Sequence, residues 1–462
     1  MADEVEKEVE TTRCAFFMKR KNRFCKMIVG KGKKYCGEHS HLGGEDKASG
    51  RTRIPCPLDP KHTVFEDQLQ KHLKCCNVTK KIDVAYYQKN INSGIPNYQL
   101  SDNEKVSLVD VSLEKVQEII DKVKTANKEH CPKIKEEILS HTVFKDELDN
   151  DDYGISALKH LKQQASLVGH LQKLNLLNSD TVYLEFGAGR GKLSHWIQLA
   201  LPNTNNTDFV LIDRASKRHK FDSCHKRSGQ GPNFKRLNVD IEHLNLGKVE
   251  CVCEGSRDIV AASKHLCGTA TDLTLRCLFE TIDKQTSLWK EKAEEEKSNE
   301  ELVENSKCKR LKTSQHVKGI VVALCCHHQC YWPHYVGRPF LEKLGFTPSD
   351  FHVVCNMTSW ATCGIRPTKG DNTSVDKGSE DFEHNNPKNN ETDGDKEATN
   401  TGHRALGLSI AEREDIGRQC KRLIDIGRIW YLNTNGMTTN LSYYVDQSTS
   451  LENVVLLATA ER

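Results

Sequence analysis

Four potential metal ligands lie close together near the start of the sequence. Cys14, Cys25, Cys36 and His39 follow the spacing C-x10-C-x10-C-x2-H, with several glycines between them that can form tight turns. Three thiolates and one imidazole suit tetrahedral zinc. A segment this short cannot bury enough apolar surface to fold unaided, so we expect zinc to stabilise it. The alternative is a small basic domain in which the thiols only pack.

A second group of cysteines and histidines follows. Cys56, His62, His72 and Cys76 have the spacing C-x5-H-x9-H-x3-C, and "TVFEDQLQKHLKCC" predicts a helix that carries His72 and Cys76 on one face. Cys75 competes as a ligand but would lie off that face, so we favour Cys76. Neither group has an evident open position or a neighbouring general base. Both are therefore predicted to be structural zinc sites.

Basic residues are concentrated around these two groups. Residues 13–90 contain 18 lysines and arginines against 7 aspartates and glutamates, although the net charge of the whole chain is only +3. Such a density favours nucleic-acid binding over a merely solvated face. The side chains that the first zinc site would display are Lys19, Arg20, Lys21, Arg23, Lys31, Lys33 and Lys34, with the aromatic residues Phe16, Phe17 and Phe24.

The stretch "VYLEFGAGRGKLSHW", residues 182–196, predicts a buried strand, a glycine-rich turn and the start of a helix. A dinucleotide-binding turn needs a small residue where this sequence has Lys192, which disfavours that interpretation. The acid Glu185 is instead followed by three alternate glycines, Gly187, Gly189 and Gly191. This pattern resembles the first motif of class I S-adenosylmethionine-dependent methyltransferases.

That resemblance implies a role for each strand end in this half of the domain. The glycines would let the backbone approach the cofactor, and Glu185 would attract its cationic amino group. Asp213, which ends "FVLID", would accept hydrogen bonds from the ribose, and Asp240 with Ile241, in "LNVDI", would contact the adenine. The alternative is that Asp213 and Asp240 only cap helices or turns.

The elements around these residues predict an α/β fold. Apolar strand-like runs, "TVYLEF", "DFVLID", "FKRLNVDI", "DIVAASKHL", "KGIVVALCC", "DFHVVCNM" and "ENVVLLATA", alternate with helical patterns, as in a mostly parallel sheet. "LEKVQEIIDKV" and "ISALKHLKQQASLVGHLQKLNLL" predict amphipathic helices before the first strand. Residues 284–317 and 367–402 are polar enough to be insertions, and the second is predicted to be disordered.

The composition of this chain of 462 residues predicts an intracellular protein. No run approaches the roughly eighteen apolar residues of a membrane span, and the acidic start does not resemble a signal peptide. Nineteen cysteines in a reducing compartment point to metal binding before disulfides. We expect the nucleus, the cytoplasm or both.

Taken together, these motifs closely resemble the eukaryotic family of tRNA 2′-O-methyltransferases that modify nucleotide 4 of the acceptor stem. The stretches "SKHLCGTATDLTLR", "ALCCHHQCYW", "MTSWATCG", "KRLIDIGRIWYL" and "SLENVVLLA" carry the resemblance with the two zinc patterns. It implies a class I (Rossmann-like) methyltransferase domain, residues 154–462, preceded by two small zinc-stapled modules. A CCCH finger would cover 12–41, a CHHC finger 54–80 and a helical connector 100–150, after a disordered acidic start, 1–11.

The family also implies the cofactor, the partner and the chemistry. S-adenosylmethionine would methylate glycine, proline and histidine tRNAs, with no membrane or DNA partner expected. A ribose hydroxyl is a poor nucleophile, so the site must remove its proton or stabilise the alkoxide. Lys264 could act as a base if burial lowers its pKa, or as a charged clamp; His265 could take the proton directly. Asp272 would orient His265 or cap its helix.

The run "CCHHQC", residues 325–330, leaves three interpretations open: metal ligands, substrate-pocket residues or packing. Adjacent side chains on a strand point in opposite directions, so only some could share one ion. Cys267 and Cys325 could be nucleophiles in a base methyltransferase, but a ribose target requires no covalent adduct. Two other functions remain: a base or protein methyltransferase on this fold, and a zinc-finger RNA-binding or splicing component without activity.

Overall fold

The computed structural model describes residues 13–18, 23–30, 32–37, 39, 52–76, 78–95, 108, 110–215, 221, 232–253, 257–281, 317–362 and 407–460. The chain divides into two compact units, Met1–Val84 and Ala85–Arg462. The predicted acidic start, 1–11, and the predicted insertions, 284–317 and 367–402, lie outside the described residues except for Val317. Lys19, Arg20, Lys21 and Lys31 also lie outside them.

The first unit consists of short strands and short helices. Its elements are the antiparallel pair β1 (Phe17–Met18) and β2 (Arg23–Phe24), the antiparallel pair β3 (Arg53–Cys56) and β4 (Asp59–Phe65), and the helices α1 (Leu69–Cys75) and α2 (Thr79–Ile82). The prediction of a helix from residue 63 was wrong in its first part. The β-branched and aromatic residues 63–65 pair with β3 instead, as their strand propensity favours.

The second unit is built on one eight-stranded sheet. Its strands are β5 (Lys135–Glu136), β6 (Thr181–Phe186), β7 (Asp208–Ile212), β8 (Asn233–Leu237), β9 (Asp258–Cys267), β10 (Val317–Cys325), β11 (Met437–Tyr443) and β12 (Val454–Ala460). Their order across the sheet is β5-β11-β12-β10-β9-β6-β7-β8. All neighbours are parallel except β12, which is antiparallel to β10 and β11.

Helices cover both faces of this sheet. They are α3 (Leu113–His130), α4 (Lys145–Leu148), α5 (Ile155–Lys173), α6 (Lys192–Ala200), α7 (Glu250–Cys253), α8 (Thr269–Arg276), α9 (Arg338–Lys343), α10 (Pro348–Met357) and α11 (Ile410–Thr434). Alternate residues of β6 enter two separate cores: Leu184 packs with residues of α3 and α11, and Tyr183 packs with residues of α5 and α6. None of the helices described here combines the length and apolar character that a membrane span needs.

The helical predictions before the sheet are confirmed by α3 and α5, and the strand predictions by β6 to β10 and β12. The helix interpreted as a connector packs in the core of the second unit through buried residues such as Ile119 and Val123. The strand predicted at "DFHVVCNM" was wrong, because this stretch forms α10. Thr347 and Asp350 close a capping box around Pro348 at the helix start, and the helix is buried on most sides.

The strand order reverses beside β6, where β7 and β8 lie on one side and β9 and β10 on the other. Ligands of open α/β sheets bind at the carboxyl ends of the strands next to such a reversal. The carboxyl ends of β6 to β10 carry Glu185 and the glycine turn, Asp213, Asp240, Lys264 to Cys267, and Cys325 to His327. The fold thus brings most of the predicted site residues of the second unit to one edge.

Candidate functional site

The structure brings together the first predicted set of metal ligands. The Sγ atoms of Cys14, Cys25 and Cys36 and a nitrogen of His39 all lie within 4.8 Å of one another. The Nδ1 atom of His39 is 3.4 Å from the Cys14 sulfur and 3.2 Å from the Cys36 sulfur. With Zn–S and Zn–N bonds of about 2.3 and 2.0 Å, the edges of a ligand tetrahedron are about 3.3 to 3.8 Å. The four atoms therefore fit one zinc ion.

The second predicted set also converges. Ligand atoms of Cys56, His62, His72 and Cys76 all lie within 4.8 Å of one another. The His62 and His72 Nε2 atoms are 3.1 Å apart, and the Cys76 sulfur is 3.8 Å from His62 Nε2. The prediction that Cys76 lies on the helix was wrong: the helix ends at Cys75, and Cys76 follows it in an extended conformation. Cys75, the competing ligand, is exposed, and its thiol donates to the Lys71 carbonyl.

Neighbouring cysteines 75 and 76 allow a matched test of this zinc site. We expect Cys76→Ser to lose about one zinc ion per chain, because one of four converging ligands is removed. Cys75→Ser should keep its zinc, because the wild-type Cys75 thiol points to a backbone carbonyl. Elemental analysis of the purified full chain measures both variants. Equal zinc content in the two variants would contradict the ligand assignment.

Neighbouring atoms leave no room for a Cβ atom at two of the three glycines in the turn after β6. A Cβ atom on Gly187 would lie 2.9 Å from the carbonyl oxygen of His265, and one on Gly191 would lie 2.5 Å from a methyl carbon of Leu211. Gly189 differs, because no atom lies within 4 Å of its Cβ position. All three have positive φ angles, of 65°, 50° and 77°. The turn is thus crowded on its inner side and open above Gly189.

Polar side chains hold the open glycine in place. Asp213 Oδ2 accepts a hydrogen bond of 2.8 Å from the Gly189 amide, and Arg236 donates to the Gly189 carbonyl over 2.8 Å. Asp213 and Asp240 are only half-buried, and Asp240 also caps a short 3-10 turn through the Glu242 amide. Ile241, beside it, is 9% exposed. Arg236 was not identified from the sequence, since nothing local distinguishes it from other strand arginines.

Glu185 lies beneath the turn rather than at its surface. It is 6% exposed, and its carboxylate accepts hydrogen bonds from the Ser194 amide and the Ser194 hydroxyl in the first turns of α6. Burial raises the pKa of Glu185 to about 7. Through these hydrogen bonds the acid joins the end of β6 to α6.

Lys264 and His265 lie side by side near the end of β9 but in different environments. Lys264 is 8% exposed, whereas His265 is exposed. The Lys264 Nζ atom is 2.8 Å from Nδ1 of His160 and donates to the His160 carbonyl over 3.3 Å. Burial lowers the pKa of Lys264 to about 7. His160, on α5, was missed from the sequence because it lies 104 residues away from Lys264.

Asp272 has a different partner from those predicted for it. Its carboxylate forms a fully buried pair with Arg428 of α11, in which Nη2 donates to Oδ2 over 2.8 Å and Nε donates to Oδ1 over 3.1 Å. Arg428 also donates to Asp425, which is 2.8 Å from Nε2 of His327. Asp272 does not occupy the N-cap of α8, where Gly268 stands. It belongs to a buried network that joins α8, α11 and the end of β10.

Breaking this network should destabilise the second unit. Arg428→Met leaves the buried carboxylate of Asp272 without its cation and removes one of the two partners of Asp425, so we expect the free energy of unfolding to fall by about 3 to 5 kcal/mol. Arg418→Met is the control on the same helix: its side chain is 49% exposed and its ion pairs are 3.8 and 3.9 Å long, so about 1 kcal/mol or less is expected. Denaturant unfolding followed by tryptophan fluorescence measures both, because all five tryptophans lie in this unit. A decrease for Arg428→Met no larger than for Arg418→Met would contradict the role of the network.

Three thiols meet at the ends of β9 and β10. The Cys267 and Cys325 sulfurs are 3.4 Å apart, and Cys326 lies beside them. Hydrogen bonding with Cys267 and Cys326, together with burial, holds the pKa of the Cys325 thiol well above its usual range. A thiol that keeps its proton at pH 7 is a poor nucleophile, so this environment does not favour covalent catalysis by Cys325.

Comparison with known proteins gives three family matches. The profile described as "Methyltransferase TRM13" matches residues 162–459, "CCCH zinc finger in TRM13 protein" matches 12–40, and "U11-48K-like CHHC zinc finger" matches 53–77. The mouse protein named "tRNA:m(4)X modification enzyme TRM13 homolog" is 39% identical over 96% of this chain and 94% of its own length. The human homologue is 39% identical over the same shares, and the Saccharomyces cerevisiae protein is 30% identical over 98% and 96%. No solved structure matches the chain.

Proposed function

This chain belongs to the TRM13 methyltransferase family, and on that premise we propose that it methylates the ribose 2′-hydroxyl of nucleotide 4 in the acceptor stem of tRNA, with S-adenosylmethionine as the methyl donor. The relatives described above are tRNA modification enzymes, and the m(4)X in their name refers to position 4. We extend the proposal to glycine, proline and histidine tRNAs, and to action in the nucleus, the cytoplasm or both.

The open space above Gly189 is the observation that carries the cofactor assignment. A positive φ, an empty Cβ position and the half-buried carboxylate of Asp213 at the neighbouring strand end form a cradle at the strand-order reversal. These features support a class I (Rossmann-like) methyltransferase fold. Residues that would hold the cofactor are Gly187, Gly189, Gly191, Asp213, Asp240 and Ile241, with Glu185 beneath them. When bound, S-adenosylmethionine supplies an activated methyl group at a cationic sulfur.

Lys264 is the residue that we assign to the proton of the ribose hydroxyl. A general base works best when its pKa lies near the working pH, and burial brings that of Lys264 to about 7. His160 fixes the position of the Nζ atom through two contacts. To His265, which is exposed at the same strand end, we assign the role of orienting the sugar. Asp272 acts only through the buried network.

Two surfaces support tRNA as the substrate. In the first unit, Phe17 and Phe24 are 41% and 62% exposed and face each other edge to face, next to exposed Arg23. Exposed aromatic rings beside basic side chains can stack on unpaired bases. In the second unit, an open groove of about 520 Å³ lies between the end of α3 and α11. Its charged lining residues are Lys124, Lys128, Lys133, Arg418, Arg422 and Asp415.

Charge removal tests the groove. We expect the double variant Lys124→Ala, Lys128→Ala to bind tRNA more weakly. The slope of the logarithm of the binding constant against the logarithm of the salt concentration should become shallower by about one for each phosphate that the groove no longer neutralises. Lys145→Ala with Lys248→Ala removes the same charge from exposed positions outside the groove and should leave the slope unchanged. Filter binding of the full chain at several salt concentrations gives both slopes. If the two double variants have the same slope, the groove does not bind the tRNA backbone.

The proposed activity is tested by incubating the full chain with S-adenosylmethionine labelled in the methyl group and with unmodified tRNA. Mapping ribose methylation at nucleotide resolution should place the label at position 4. Label found on a base would indicate a base methyltransferase, and label found on a protein would indicate a protein methyltransferase. Calorimetry that detects no cofactor binding, with or without tRNA, would instead favour an RNA-binding protein without activity.

A further inference from the structure

The carboxyl ends of β9 and β10 bring three cysteine sulfurs into one cluster. Cys267 and Cys325 are the last residues of their strands and are paired in the parallel register, which sets their sulfurs 3.4 Å apart. The sulfur of Cys326 joins them, so that all three lie within 4.8 Å of one another. We call Cys267, Cys325 and Cys326 the thiol triad.

Cys326 can join only because the strand ends abruptly. In an extended chain the side chains of residues 325 and 326 would point to opposite faces of the sheet. Cys326 instead has φ 52° and ψ 41°, a left-handed conformation, and it begins a 3-10 turn over His327–Gln329. This conformation is uncommon for a residue with a Cβ atom and costs about 1 kcal/mol or more. The surrounding fold therefore holds a strained residue where its thiol meets the other two.

The triad differs from the cysteines that only pack. Cys277, Cys355 and Cys420 are fully buried within the apolar core, whereas all three triad residues are partly exposed at the sheet edge. Closely spaced thiols that can be reached from solvent are good ligands for soft or borderline metal ions. Two thiolates bound to one tetrahedral zinc ion lie about 3.8 Å apart. The measured distance of 3.4 Å between the Cys267 and Cys325 sulfurs is close to this value.

We propose that Cys267, Cys325 and Cys326 bind a third zinc ion, independent of the two zinc-finger sites, with the fourth coordination position left to water. The ion would tie the end of β9 to the end of β10. These are the segments that carry Lys264 and His265 on one strand and His327 on the other. The proposed ion would thus fix the spacing of the ends of β9 and β10. Zinc binding by these three cysteines does not depend on the proposed methyl transfer.

Elemental analysis of the full chain, purified under reducing and zinc-replete conditions, tests the third site. We expect about three zinc ions per chain for the wild type, about two for Cys326→Ala and about three for Cys253→Ala, an exposed cysteine outside the triad. Cys14→Ser combined with Cys56→Ser removes one ligand from each zinc finger and should leave about one ion. This variant keeps the test valid even if Cys326→Ala fails to fold.

Two results would overturn the proposal. One is a double finger variant that retains no zinc. The other is a wild-type protein that contains only two zinc ions and in which added zinc does not slow the alkylation of the triad cysteines by iodoacetamide. Because zinc content is measured without any methyl transfer, these outcomes are separate from a failure of the proposed enzymatic activity.

Discussion

Gly189→Trp is expected to weaken S-adenosylmethionine binding by at least about 100-fold, equivalent to about 2.7 kcal/mol, and to abolish methyl transfer. The indole would fill the space that is empty above the Gly189 Cβ position. The positive φ of 50° adds backbone strain, which would also displace the amide that donates to Asp213. Calorimetry measures cofactor binding, and filter binding should show unchanged affinity for tRNA.

Gly345 provides a matched control for this substitution. It also has a positive φ, of 76°, and no atom within 4 Å of its Cβ position, but it lies in the turn between α9 and α10. Gly345→Trp introduces the same side chain and comparable backbone strain away from the glycine turn. It should therefore retain cofactor binding. If both variants bind S-adenosylmethionine as the wild type does, the cofactor does not lie over Gly189.

The sequence predicts the central strands of the sheet because they are mostly apolar runs that end in polar or glycine-rich turns. The strands β5 and β11 were not predicted. The same logic fails at "DFHVVCNM", since a helix buried on most sides carries an apolar run as dense as that of a buried strand. Thr347, Pro348 and Asp350 form a helix start signal that could have corrected this prediction. Local capping residues are thus better evidence than apolar density for short buried elements.

The ligands of the zinc sites could be predicted because each set lies within a short segment. The partners in the second unit could not, because the fold brings them from distant positions. Arg428 lies 156 residues from Asp272, and His160 lies 104 residues from Lys264. The meeting of adjacent thiols at Cys325 and Cys326 depends on a left-handed residue that the sequence pattern does not reveal.

Lys264→Met is expected to reduce methyl transfer by about 100- to 10,000-fold, the usual contribution of a general base, while cofactor binding is retained. Lys264→Arg distinguishes the two roles that this lysine could have. Arginine keeps the positive charge but cannot lose its proton near neutral pH. If Lys264 is the base, both variants lose the activity. If Lys264 acts through its positive charge, Lys264→Arg should keep part of the activity that Lys264→Met loses. Single-turnover rates with saturating tRNA measure the chemical step directly.

The pH dependence of the wild type gives an independent test of the same assignment. Because burial lowers the pKa of Lys264 to about 7, the amine changes from mostly charged to mostly neutral as the pH rises from about 6 to 8. Only the neutral amine can accept a proton, so the single-turnover rate should rise through this range and then level off. His160→Ala removes the ring contact to Nζ and should shift this rise in pH as well as slow the reaction. A rate that falls between pH 6 and 8 would show that the charged lysine is the active form.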